Sequence, residues 1–221
     1  MLTQQSLDFL KDLSKNNNRE WFEANKKRYE KDLKKPVEEV IGKIIQEIQK
    51  IDPAVAITPK KAIFRIYRDI RFSKDKSPYK THVGAVVSPG GTQLKEYPGI
   101  YIHVESGSLM IGGGAYFLET QPLYQLRQYI VHHIDEFNSL ISEPNFKAKY
   151  GELKGEKNKK LPLEFQEVAE KQPLLYNKQF YFMAELDPKN AIREDFVDFV
   201  MEHYRASKPF NDFLIEALTR S

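Results

Sequence analysis

Apolar residues fall at helical spacing over the first fifty positions and alternate from about Lys61, so the chain reads as helices followed by strands. Leu7, Leu10 and Leu13, with Phe9 alongside, mark a first helix with Thr3 at its cap, broken by Asn16-Asn17-Asn18. Asn18 is placed to cap a second helix that begins Arg19-Glu20-Trp21-Phe22. It runs through Tyr29 and Leu33 to a kink or restart at Pro36, whose nitrogen has no proton to donate. Val37, Val40, Ile41, Ile44, Ile45, Ile48 and Ile51 then form one apolar stripe, closed by Asp52-Pro53, and a stripe this continuous reads as core.

The stretches 62–72, 79–87, 99–105 and 108–116 are rich in β-branched and aromatic residues and are punctuated by proline and glycine turns. Four strands this closely spaced predict antiparallel pairing, with Ser106-Gly107 short enough to make the last two a hairpin. A helix resumes after Glu119 through Leu123, Leu126, Ile130, Ile134 and Phe137, with Pro122 in its first turn. Residues 142–178 are irregular by pattern. Lys147 to Lys160, with six lysines against two glutamates, reads there as a solvated loop. Phe180 to Leu186 reads as a further strand whose place in the sheet is open. Asn190 is expected to cap a helix carrying Phe196, Val200 and Tyr204, and a last short helix is expected from Pro209 to Thr219. The expected fold is α+β: N-terminal helices over 1–52, a central antiparallel meander over 61–117, and C-terminal helices with one late strand over 120–221, packed on one side of the sheet as a single domain.

Composition narrows the chemistry. A chain of 221 residues with 41% hydrophobic and 12% aromatic residues has ample material for a core, and the absence of cysteine excludes disulfides, thiolate zinc sites and a cysteine nucleophile. The start of the chain carries no basic and apolar leader, and no apolar run approaches the ~18 residues that span a bilayer. A cytoplasmic location with no membrane partner is expected.

The formal charge of +3 conceals a strong asymmetry. Residues 60–80 hold eight basic side chains and two acidic ones, a local charge of +6, so the rest of the chain sums to −3. A confined patch focuses anions as diffuse charge cannot, and arginine grips phosphate or carboxylate with two parallel donors. Read as one strand, 62–72 puts Arg65, Tyr67, Asp69 and Arg71 on one face. Arg68 then falls among the apolar residues Phe64, Ile66, Ile70 and Phe72, where it must snorkel, pair with an acid or follow a bulge. Alternation also groups Lys80 with His82, and Tyr101 with His103 and Glu105, and the two groups can share a sheet face. A solvated sheet face would carry a similar pattern.

Other motifs carry less. His103 and Glu105 are two ligands where a metal site needs more, with His82 or Asp69 as the only thirds in sight, so no metal is assigned. His132 and His133 point about 100° apart on a helix and cannot chelate as a pair. Gly112-Gly113-Gly114 lacks the spacing and following helix of a phosphate loop, and reads as close packing or a flat floor. Glu152-Leu153-Lys154 is a chance-level triplet.

Four blocks together resemble a known family. They are Asn17-Asn18-Arg19-Glu20-Trp21-Phe22, Arg65-x-x-Arg68-Asp69-x-Arg71-Phe72-x-x-Asp75-Lys76-x-Pro78-Tyr79-Lys80, Tyr101-x-His103-x-Glu105 and the triple glycine. In these the chain is similar, over essentially its whole length, to the microbial family of conserved hypothetical proteins named domain of unknown function 2461. The resemblance implies a single-domain α+β protein and carries over no activity and no catalytic residue.

The residues point to a basic cleft on the sheet for a phosphorylated or carboxylated small molecule. Its contacts are expected from Arg65, Arg68, Arg71, Lys76 and Lys80, with Tyr79 and Tyr101 as stacking or hydroxyl partners. Asp69, His82, His103 and Glu105 are the candidate acid/base groups. Two alternatives use the same block: a nucleic-acid-binding module with Tyr67, Phe72 and Tyr79 as stacking surfaces, or a scaffold whose arginines pair with internal acids. No cofactor is assigned, and substrate, catalysis and oligomeric state stay open.

Overall fold

A computed structural model describes residues 1–94 and 97–219. Its elements in chain order are α1 (Gln4–Lys15), α2 (Arg19–Ala24), α3 (Lys26–Arg28), α4 (Lys35–Gln49), α5 (Pro59–Ala62), β1 (His82–Val87), β2 (Ile100–Glu105), β3 (Leu109–Ala115), α6 (Thr120–His132), α7 (Ile134–Ser142), α8 (Pro144–Tyr150), α9 (Leu163–Lys171), β4 (Phe180–Leu186) and α10 (Phe196–Thr219). The strands form one antiparallel meander in the order β1-β2-β3-β4, so the late strand joins the sheet beside β3 and the fold is α+β. Among the described residues no helix is long and apolar enough to cross a membrane. The described residues form two compact units: residues 1–93, 101–111 and 185–201, and residues 94, 97–100, 112–184 and 202–219.

The first unit is built on the apolar stripes of α1 and α4. Thr3 begins α1, with its backbone N–H donating to the Ser6 hydroxyl at 3.2 Å. Ser6 in turn donates to the carbonyl of Asp32. That carbonyl is the one Pro36 cannot serve, which accounts for the widened π-helical turn over Tyr29–Lys34 that leads into α4. Val37, Val40 and Ile41 of α4 line a small apolar space with Leu2, Phe196 and the inward residues Val83 and Ala85 of β1 and Ile102 and Val104 of β2. By alternation, His82, Gly84, Tyr101, His103 and Glu105 therefore face the other way. Phe9, Phe22 and Tyr29 form a second, aromatic part of this core, where Phe22 stacks on Tyr79 with centroids 4.0 Å apart and planes 15° from parallel.

The second unit has its own aromatic core. Phe137 packs against Phe180, Phe210 and Phe213, while Phe146 and Tyr150 pack on Phe182. The triple glycine is explained by strand approach: Gly114 has φ +95°, and a Cβ there would stand 2.3 Å from the carbonyl oxygen of Phe180 on β4. Residues 142–178 carry more order than their breakers suggest, with α8, α9 and a 3-10 turn at Pro173–Tyr176. The lysine-rich stretch is not all loop, since it begins inside α8 and then pairs Lys154 with Tyr181 and Lys157 with Asn177.

Four expected elements differ. The stretch 62–72 is not a strand: Ala62 closes the helical turn α5, and only the isolated bridges Ile63 to Ala85 and Tyr67 to Tyr79 remain. The helix expected from Leu123 to Phe137 breaks at His133 into α6 and α7. Asn190 lies in a 3-10 turn and caps no helix, and the two expected C-terminal helices are one, α10, with Pro209 inside it.

Candidate functional site

The site grows from a register break. Phe64 N–H donates to Gly84 O at 2.9 Å, and Lys80 N–H donates to Ile66 O at 2.8 Å. Between these pairing points lies only Arg65 on one side, against Thr81, His82 and Val83 on the other. The surplus residues bulge, and bulges re-aim side chains. Here the break brings Arg65, Lys80 and His82 into electrostatic contact.

Asn17 holds this ribbon in place. Its side-chain amide donates to Tyr79 O at 2.9 Å and its carbonyl accepts from Tyr79 N–H at 3.1 Å, so one side chain mimics a strand partner. The sequence suggested only a helix break at this position. The clamp spans 62 residues and leaves no local trace.

Lys80 is half-buried with its ammonium 5.1 Å from the centre of the Phe64 ring. Burial and the neighbouring Arg65 guanidinium both push its pKa below the ordinary lysine value. Arg65 is exposed, and among the described residues neither cation has an ion-pair partner. His82 carries the same strain. Burial, then His103, then Lys80 push its pKa down to about 4, so it is neutral at physiological pH.

On β2 the expected grouping holds. The Tyr101 hydroxyl lies 2.9 Å from His103 Nδ1, and His103 Nε2 lies 3.8 Å from Glu105 Oε2. The His103 ring is buried and stacks on His82 with centroids 4.1 Å apart. Burial lowers the His103 pKa, opposed by the Glu105 carboxylate. Gly84 completes the arrangement, because a Cβ there would stand 3.2 Å from the Tyr101 hydroxyl and 3.4 Å from Phe64.

The profile of the conserved hypothetical protein family DUF2461 matches residues 5–213. The chain belongs to this family. No curated protein and no solved structure matches it. In this DUF2461 protein the matched stretch contains both the register break and the β2 triplet.

The remaining candidates are spoken for elsewhere in the DUF2461 chain. Arg68, the anomaly on an apolar face, ion-pairs with Asp75 and reaches Ser73, while Arg71 holds Asp69 at 2.7 Å. These contacts pull both carboxyls well down, Asp69 to about 2 through Arg71, and Asp75 chiefly through Ser77 and then Arg68. Lys76 donates to Ile70 O at 3.0 Å. The stretch 68–78 is thus a braced loop, and Phe72 stands on it 95% exposed. Tyr79 is 3% exposed beneath Phe22 and offers no stacking surface. The structure therefore gathers Arg65, Lys80, His82, Tyr101, His103 and Glu105, and ties up Arg68, Arg71 and Lys76 in loop contacts; Asp69 is held by Arg71 and feels Arg65 only at longer range. Among the described residues no group of three or more histidine and carboxylate side chains is arranged to hold a metal ion.

Proposed function

We propose that this DUF2461 protein binds a small phosphorylated or carboxylated molecule at Arg65 and Lys80, beside His82 and the Tyr101–His103–Glu105 triplet. One observation carries the reading: half-buried Lys80 is repelled by Arg65, neither cation has an ion-pair partner among the described residues, and Asp69, the carboxylate whose charge reaches Arg65, is already held by Arg71. Keeping a lysine charged under burial and like-charge repulsion costs free energy that a bound anion returns. The neighbouring His82 imidazole is neutral and is a hydrogen-bond partner for the same ligand, while His103 is engaged by Tyr101.

Thermal unfolding in sulfate, phosphate and a panel of phosphorylated and carboxylated metabolites, against chloride at matched ionic strength, tests this. At a hundredfold excess over Kd the stabilisation is about 2.7 kcal/mol, which is about 5–10 °C for a chain of this size. Arg65→Ala and Lys80→Ala abolish the shift. A panel without any shift, or a shift indifferent to both substitutions, removes the proposal.

A second reading rests on Phe72. An aromatic side chain 95% exposed on a braced loop with Arg71 and Lys74 suits stacking on a single-stranded nucleic acid. It predicts oligonucleotide binding that weakens steeply with salt and is lost in Phe72→Ala but kept in Arg65→Ala.

A further inference from the structure

We infer that Tyr101, His103 and Glu105 form a proton relay, with the Tyr101 hydroxyl as the catalytic base toward a small organic anion that carries an acidic proton. The inference takes its substrate class from the anion-binding proposal and its chemistry from the hydrogen bonds of β2.

The tautomer of His103 decides the direction of the relay and is assigned from its surroundings. Nε2 is buried, makes no hydrogen bond, and has the Glu105 carboxylate 3.8 Å away. A lone pair on Nε2 would face that negative charge, so the proton sits on Nε2 and Nδ1 is the acceptor. Tyr101 O–H therefore donates to Nδ1 across the 2.9 Å contact. Both groups are in the state a relay requires. Burial favours the neutral imidazole, and burial with the Glu105 charge keeps the Tyr101 phenol protonated.

In the step, an X–H bond of the substrate breaks and its proton passes to Tyr101 Oη while the phenolic proton passes to His103 Nδ1. The electron pair stays on the substrate beside Arg65 and Lys80. His103 becomes an imidazolium whose Nε2–H, idle in the resting protein, now faces a carboxylate as a charged donor. That interaction is stronger in the charged state than in the ground state, which is the condition for lowering a barrier. Gly84 leaves room above the hydroxyl that a Cβ would take, and His82 covers one face of the His103 ring.

Two tyrosine-reactive probes test the relay on the full chain: 4-(fluorosulfonyl)benzoate, which is anionic, and benzenesulfonyl fluoride, which is neutral. Tyr101 oxygen attacks sulfur, the S–F bond breaks, fluoride leaves and His103 takes the phenolic proton. Intact mass and peptide mapping read the result. Labelling is expected first at Tyr101, slowed at least about tenfold in His103→Gln and several-fold in Glu105→Gln, and slowed as pH falls through the protonation of His103. Tyr101 reacting no faster than other tyrosines, or at a rate indifferent to both substitutions, overturns the relay. Should His103→Gln fail to fold, Glu105→Gln, at a partly exposed position, decides alone. Equal labelling by both probes without competition from phosphate keeps the relay and overturns the anion site; faster labelling by the carboxylate, competed by phosphate, supports both.

Discussion

The imidazoles of His82 and His103 lie face to face, with ring centroids 4.1 Å apart and planes 23° from parallel. Two stacked imidazoles cannot both charge cheaply, and His82 also faces Lys80, while His103 faces Glu105 and Tyr101. His82 ionises at about 4 in the folded protein and near 6.5 when unfolded. Between those values the unfolded chain binds more protons, so stability is lost as pH falls from 6.5 toward 4. Partial solvent access leaves about 1–2 kcal/mol of this. Urea unfolding at pH 7 and pH 4.5 is expected to show that loss, and His82→Gln to shrink the difference between the two pH values by the same amount.

Asn17→Ala removes both hydrogen bonds to the Tyr79 backbone and leaves a partly buried N–H and C=O unpaired. The expected cost is about 2–3 kcal/mol, measured by denaturant unfolding. Asn17→Asp keeps the acceptor, loses the donor and falls between.

Phe22→Ala takes away the ring stacked on Tyr79 and opens a cavity at a site 1% exposed. The destabilisation expected is about 3–5 kcal/mol. A cost under about 1 kcal/mol would mean that the aromatic core repacks around the gap.

Much of the architecture was legible from period alone. Strands β2, β3 and β4 lie within a residue of their alternating stretches, because packing on one face imposes the period directly. Residues 62–72 misled because their alternation is real while their hydrogen-bonding partner slips by two residues at Arg65, and the slip depends on a distant strand. Pro209 suggested a break, yet α10 continues through it, which local propensity does not foresee. Order in 173–178 comes partly from Arg127, buried in α6, which donates to the carbonyls of Leu175 and Asn177 some fifty positions away.

The site was legible in the same uneven way. The grouping of Tyr101, His103 and Glu105 follows from alternation. Which arginine is left without an ion pair does not, since Arg68–Asp75 and Arg71–Asp69 are loop contacts whose geometry a charge count cannot resolve.

Gly84→Ala pushes a methyl group to 3.2 Å from the Tyr101 hydroxyl and 3.4 Å from Phe64. The Tyr101 hydroxyl must give way by a few tenths of an ångström, at a cost of about 1 kcal/mol. Nitrogen-detected NMR of His103 is expected to show a weakened Nδ1 hydrogen bond.

Asp75→Ala frees Arg68 and removes the contacts to the Ser77 N–H and hydroxyl that brace the loop. Asp75 is exposed and its partners are half-buried, so global unfolding is expected to change little while limited proteolysis within 68–78 accelerates.

The most direct test of the central claim is a phosphate titration followed by the His82 ring resonances across pH. An anion seated between Arg65 and Lys80 cancels part of the positive field on His82, so its pKa is expected to rise from about 4 on saturation, and not to rise in Arg65→Ala. A His82 titration identical with and without phosphate would contradict the anion site.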